Sequence, residues 1–203
     1  MTSIYEKAMG KSFYNLHPKL QKRYTIVQGG SFQASGIMKN IQRGPNWLYP
    51  LFLLGLKRKL LFPDQGKNIP FTMVNEVQND KQDKQEIVRW ERVFHFKKKQ
   101  RIFTTITRYD DERNIIIDYL GEPSLFSSDL DYSSTDQGDL KIKTINQRIL
   151  LGRFEIPLPK ILQGSGTVIE KYLDDKDVYY VQVEIRNPMV GILFKYEGEF
   201  TQI

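Results

Sequence analysis

The chain has 203 residues, 40% hydrophobic and 27% charged, with a formal net charge of +6. That length suffices for one domain with a sizeable apolar core, read here as 1–203, with an N-terminal helical segment at 1–23 and β-structure over 24–203. Cysteine is absent, which excludes disulfide scaffolds, thiol nucleophiles and thiolate metal sites, and the two histidines, His17 and His95, lie too far apart in sequence for a histidine-rich metal centre.

The opening MTSIYEKAMGKSFYNLHPKLQKRY places Ile4, Met9, Phe13 and Leu16 on the buried side of short helices broken at Gly10 and Pro18. It lacks the apolar stretch of a secretory signal; together with the absence of cysteine this leads to a cytoplasmic expectation. Residues 47–62, WLYPLFLLGLKRKLLF, predict an inserted helix near 46–62. Pro50 suits its first turn, and Lys57, Arg58 and Lys59 complement the dipole toward its end. Its uninterrupted apolar portion, Trp47 to Leu56, is far shorter than the roughly 20 residues that span a bilayer, so no transmembrane segment is expected. A plug or lid on a barrel is the favoured reading, and an interfacial segment in peripheral contact with a membrane is the other.

Beyond Tyr24 the pattern turns to alternation. Stretches at 69–78, 86–96, 101–109, 114–120, 140–150, 166–173, 178–187 and 192–200 read as strands, rich in β-branched and aromatic residues and separated by turn-forming segments at 78–84, 110–113 and 174–177. Such short connections suit antiparallel neighbours, giving a meander of about eight to ten strands, at which sheets curl or close. The Ser- and Asp-rich stretch 124–139 lacks the EF-hand order of acids and reads as an exposed strand and loop. RFEIPLPKILQG (153–164) reads as a turn with a short helical piece.

Along 86–96 the even residues Val88, Trp90, Arg92, Phe94 and Phe96 form the core face. In the last strand Phe194, Tyr196 and Phe200 share one side, and at 178–187 the odd set Tyr179, Val181, Val183 and Ile185 runs inward to Asn187. Three polar residues thus fall in inward registers: Asn75, Arg92 and Asn187. A guanidinium facing an aromatic interior must be paired or hydrogen-bonded. Its charge is met by a carboxylate such as Glu170, Asp118 or Glu184, by water if it lies near the barrel rim, or by the anionic end of a ligand whose apolar part lies against Trp90, Phe94 and Tyr196. The candidate ligand-binding set is therefore Arg92, Trp90, Phe94, Asn75, Asn187 and Tyr196. His95 falls on the outward register. No phosphate-cradling glycine loop is present, no cofactor or metal is expected, and no specific nucleic-acid surface is read. Of the two cation runs, 57–59 belongs to the helix end and 97–99 reads as a solvated hairpin turn, with phosphate or headgroup contact as its other reading.

Five stretches, YEKAMGKSFYNLHPKLQ (5–21), SFQASGIMKNIQRG (31–44), WERVF (90–94), LGRFEIPLP (151–159) and NPMVGILFKYEGEF (187–200), resemble a bacterial family known as domain of unknown function 4166. The resemblance covers nearly the whole chain, implies the stand-alone form, and brings no activity or site residues with it. The fold expected from the residues is mainly β (α+β): an antiparallel, lipocalin-like β-barrel or strongly curved sheet with short N-terminal helices and the inserted helix. Three functions fit it: a binding protein for a small hydrophobic or anionic amphipathic ligand, which leads; an enzyme acting in the same cavity; and an interaction module with a filled barrel.

Overall fold

A computed structural model gives the architecture and describes residues 2–80, 83–152 and 154–203. Positions 81 and 82 of the turn read at 78–84, and position 153 of the 153–164 segment, lie outside the described residues. Eleven strands form: β1 (Ser31–Arg43), β2 (Gly66–Asn79), β3 (Glu86–Phe96), β4 (Lys99–Asp110), β5 (Ile115–Gly121), β6 (Ser124–Ser134), β7 (Leu140–Leu151), β8 (Phe154–Pro157), β9 (Ser165–Leu173), β10 (Val178–Asn187) and β11 (Gly191–Gln202). All pairings are antiparallel. Ten strands close on themselves through β1–β11, β6–β7 and β7–β9, and β8 hangs on β7 as a short outer hairpin. The lipocalin-like barrel expected from alternation is the fold observed.

The eight strands read from the sequence are present within a few residues, and three more join them. Strand β1 escaped because its alternation fails twice. Gly36 interrupts the inward set Phe32, Ala34 and Met38, and a bulge between Met38 and Asn40 switches the inward register to Ile41. Strand β6 is not exposed, as the reading of 124–139 had it: Ser127, Ser128 and Asp129 are buried, and Asp129 is held bidentately by Arg148 at 2.6 and 2.7 Å. The helical piece near 160 is a single 3-10 turn, Lys160–Leu162, following β8.

Two helical layers cap the ring. At one end α1 (Ile4–Met9), a 3-10 turn at Gly10–Asn15 and α2 (Pro18–Tyr24) bury Ile4, Tyr5, Met9, Phe13, Leu20 and Tyr24 against the barrel. Ser3 caps α1 by accepting from the Glu6 amide at 3.2 Å, and His17 caps α2 by accepting from Lys19. At the other end a 3-10 turn at Asn46–Leu48 leads into α3 (Tyr49–Lys57), with Pro50 in its first turn. The helix expected over 46–62 therefore stops at Lys57. The Leu60 amide returns to the Gly55 carbonyl at 2.9 Å and the Lys59 amide to Leu56 at 3.2 Å, with Lys59 at φ 50°, which is a Schellman stop built with lysine where glycine is usual. The chain then runs beside β4, where the Lys59 carbonyl accepts from the Thr104 amide at 2.9 Å and Asp64 engages Lys99 and Arg101.

Candidate functional site

The barrel encloses a cavity of about 260 Å3. Its inner end is made by Arg23 and Tyr24 of α2 with Glu170 of β9. Arg23 Nε lies 2.5 Å from Glu170 Oε1, the Tyr24 hydroxyl donates to Oε2 at 3.0 Å, and all three side chains are buried. The guanidinium also sits over Phe32, 4.2 Å from the ring centroid, and close to Phe200 at 5.1 Å. Desolvation is the largest single influence on Arg23 and pushes its pKa down, but the charge and hydrogen bond of Glu170 together with the neighbouring Tyr24 and Tyr179 oxygens more than offset it, so the guanidinium stays charged in this dry setting.

Further out, Arg92 enters from β3. Its guanidinium lies 4.9 Å from the Trp90 ring and 5.0 Å from Phe103, and its Nη1 has no hydrogen-bond partner. Among the described residues no carboxylate stands within ion-pair distance of it. Of the partners weighed from sequence, Glu170 is taken by Arg23, and Glu184 lies outside with Arg186 and Lys195. Asp118 shares the cavity. It accepts from the Thr107 hydroxyl at 2.7 Å, and burial pushes its carboxyl from 3.8 up to about 6, against the pull of that hydrogen bond and of the Arg92 charge. Thr105, Ser128, Thr144 and Gln147 continue a polar strip along β4, β6 and β7, while Met38, Phe71, Val183 and Phe200 supply the apolar wall opposite.

Of the six residues selected from sequence, Arg92, Trp90 and Tyr196 line this cavity together. The Trp90 indole N–H is already committed to the Tyr5 hydroxyl at 3.0 Å, so only its apolar face is offered. Phe94 is buried in an aromatic stopper with Phe62, Phe71 and Tyr196, centroids 5.2 to 6.2 Å apart, that fills one side of the barrel below α3. Asn75 is buried outside the cavity wall. Asn187 is a clip: its amide donates to the carbonyls of Ile161 and Gln163 at 2.8 and 2.9 Å, and its oxygen accepts from the amides of Met189 and Val190. Its hydrogen-bonding capacity is thereby spent on tying the loop 158–164 to the β10–β11 turn.

That loop borders the opening. Main-chain pairing of β7 with β9 ends at Lys143 opposite Thr167. Beyond it the wall is stitched by side chains: Thr144 Oγ1 accepts from the Gly166 amide at 3.1 Å and Gln147 Oε1 from the Gly164 amide at 2.7 Å. Leu51 and Leu54 of α3 on one side and Leu162 on the other line the cavity and are also exposed, so the cavity reaches solvent between them. Arg23 and the side-chain stitch were not selected from sequence, and Asp118 was weighed there only as a partner for Arg92. Arg23 sits in a segment read as short helices, and the stitch depends on strands β7 and β9 splaying beyond Lys143 and Thr167, for which no residue pattern speaks.

Among the described residues no group of three or more His, Asp or Glu side chains could hold a metal ion. His95 lies on the outer face between Thr72 and Gln100. No helix among the described residues is long and apolar enough to cross a membrane. The chain is 37% identical over 202 residues to the uncharacterized protein YndH of Bacillus subtilis (strain 168), covering 100% of this chain and 98% of that protein. The model of the domain of unknown function DUF4166 matches residues 16–200, and the chain belongs to that family.

Proposed function

We propose that this protein binds a small amphipathic molecule in the barrel, its anionic end on Arg92 and its apolar part between Trp90, Tyr196 and Val183. The observation that carries the reading is the Arg92 Nη1, a buried guanidinium nitrogen with no partner, aimed into a cavity with an otherwise largely apolar wall. A charge held this way gains most from a carboxylate or phosphate that completes its fork. The cavity, about 260 Å3, sits just under the usual range of roughly 300–1,000 Å3 for ligand pockets, which suits a short single-chain amphiphile rather than a two-tailed lipid. The absence of cysteine is in keeping with operation in the cytoplasm.

Asp118 favours a second reading, catalysis in the same cavity. A carboxyl with a pKa near 6 beside a cation is poised to take and return a proton near neutral pH.

Octanoate titrated by calorimetry, with native mass spectrometry of the purified protein, tests binding. The wild type is expected to take up a carboxylate amphiphile, and Arg92→Met to keep its circular dichroism and melting temperature while binding weakens roughly tenfold or more, the worth of one charge-assisted hydrogen bond. Loss of folding in Arg92→Met, with no small molecule retained by the wild type, would make Arg92 structural and end the proposal. Conversion of a bound molecule, abolished by Asp118→Asn, would promote the catalytic reading.

A further inference from the structure

The surface around the cavity mouth is unlike the rest of the molecule. Of the sixteen large apolar side chains exposed among the described residues, eleven lie at this one end of the barrel. They come from three separated segments. Trp47, Leu51, Leu53 and Leu54 face out on and before α3. The β7–β8 hairpin, turning at Gly152, adds Leu151 and Ile156, and every described residue of β8 is exposed. Ile161 and Leu162 follow on the 3-10 turn, and Met189 lies in the β10–β11 turn that Asn187 ties to the same loop.

Charge is arranged around this apolar centre. Lys57 and Arg58 end α3, Lys97 and Lys98 form the β3–β4 turn at the same end, and Lys160 stands between β8 and Ile161. Among the described residues none of these five has a carboxylate within ion-pair distance. The carboxylates at this end are already taken: Asp64 by Lys99 and Arg101, Glu122 by Lys59 and Arg89, Glu155 by Arg148. The strand-connecting loops at the opposite end are acidic, with 110–113 reading DDER and 174–177 reading DDKD, although the N-terminal helices there bring lysines of their own.

We infer that the mouth end docks on an anionic lipid bilayer, with α3, the β7–β8 hairpin and the 161–162 turn seated in the headgroup region and the five cations on lipid phosphates. Apolar side chains ringed by uncompensated cations match an interfacial seat, in which acyl carbon takes the centre and anionic headgroups the rim. The seat surrounds the opening, so an amphiphile would pass between bilayer and cavity without crossing water. Docking itself does not depend on what the cavity binds.

Two tryptophans make the test direct. Trp47 is 66% exposed on the docking face, whereas Trp90 is buried inside the barrel. Vesicles of phosphatidylglycerol and phosphatidylcholine in equal parts are compared with pure phosphatidylcholine by flotation and by tryptophan emission. The expected result is binding roughly tenfold or more tighter to the anionic vesicles, weakened by salt, with a blue shift that brominated lipid quenches and that Trp47→Phe removes. Leu53→Glu with Ile161→Glu, both outside the cavity wall, should abolish flotation while the melting temperature and octanoate binding stay as in the wild type. The inference is overturned if the wild type stays with the soluble fraction, if the double variant floats as well as the wild type, or if sedimentation shows a dimer that the double variant dissociates. Octanoate binding without vesicles separates failure here from failure of the cavity reading.

Discussion

Glu170 is the residue on which the inner end of the cavity depends. Its partner Arg23 is as buried as it is, so removing the carboxylate leaves a cation among Phe32, Trp90 and Phe200 with nothing to neutralise it. Glu170→Gln is expected to cost about 3–5 kcal/mol and to lower the calorimetric midpoint by roughly 10 °C. Replacing both partners by apolar residues, Arg23→Met with Glu170→Leu, should recover most of that loss, since the penalty belongs to the unpaired charge. Asp118 behaves in the opposite sense. Burial raises its pKa from 3.8 to about 6, so the native state holds the proton more tightly than the unfolded chain. Its ionisation then costs stability progressively as pH rises from about 4 through 6, and in full above that. Asp118→Asn should therefore gain about 1–3 kcal/mol over the wild type at pH 8, falling to no difference near pH 3, as read by urea unfolding at both pH values. Alternation was enough to place Arg92 inward but not to choose among its three candidate partners, because that choice rests on which carboxylate Arg23 of a distant helix occupies first.

At the scale of elements, the seam between the first and last strands shows how glycine sets the approach of two chains. Gly198 pairs with Met38, and Gly36 with Phe200. A Cβ added at Gly198 would lie 2.6 Å from the Met38 Cα, and one at Gly36 would lie 2.6 Å from the Phe200 Cα. Gly198→Ala is expected to destabilise by about 1–3 kcal/mol through forced separation of β1 and β11, measured as a lower urea midpoint with an unchanged slope. The same seam explains what the sequence hid. Eight strands were legible because each is a run of β-branched and aromatic residues between turn-forming segments, with alternation clearest in sets such as Val88, Trp90 and Phe94. Strand β1 was not, since Gly36 removes a side chain from the inward set and the bulge at Lys39 reverses the register. The end of α3 was illegible for a related reason: its stop uses Lys59 in a backbone conformation that glycine usually signals.

At the scale of the whole molecule, closure joins residues most distant along the chain. Strand β1 begins at Ser31 and is paired on one side only by β11, which ends at Gln202. A nascent chain that has emerged as far as β10 therefore carries two open sheet edges, β1 and β10, each about ten residues long and ready to pair with the wrong neighbour. The ring is completed by the last strand of the barrel, over a loop that spans all the strands between, which places this fold among slow closers. Until then the aromatic interior that β11 supplies, Phe194, Tyr196 and Phe200, is absent, and the stopper of Phe62, Phe71 and Phe94 has no opposite wall. Barrel formation thus waits for β11, and a chain stopped before it would be a substrate for chaperones and proteases rather than a smaller barrel.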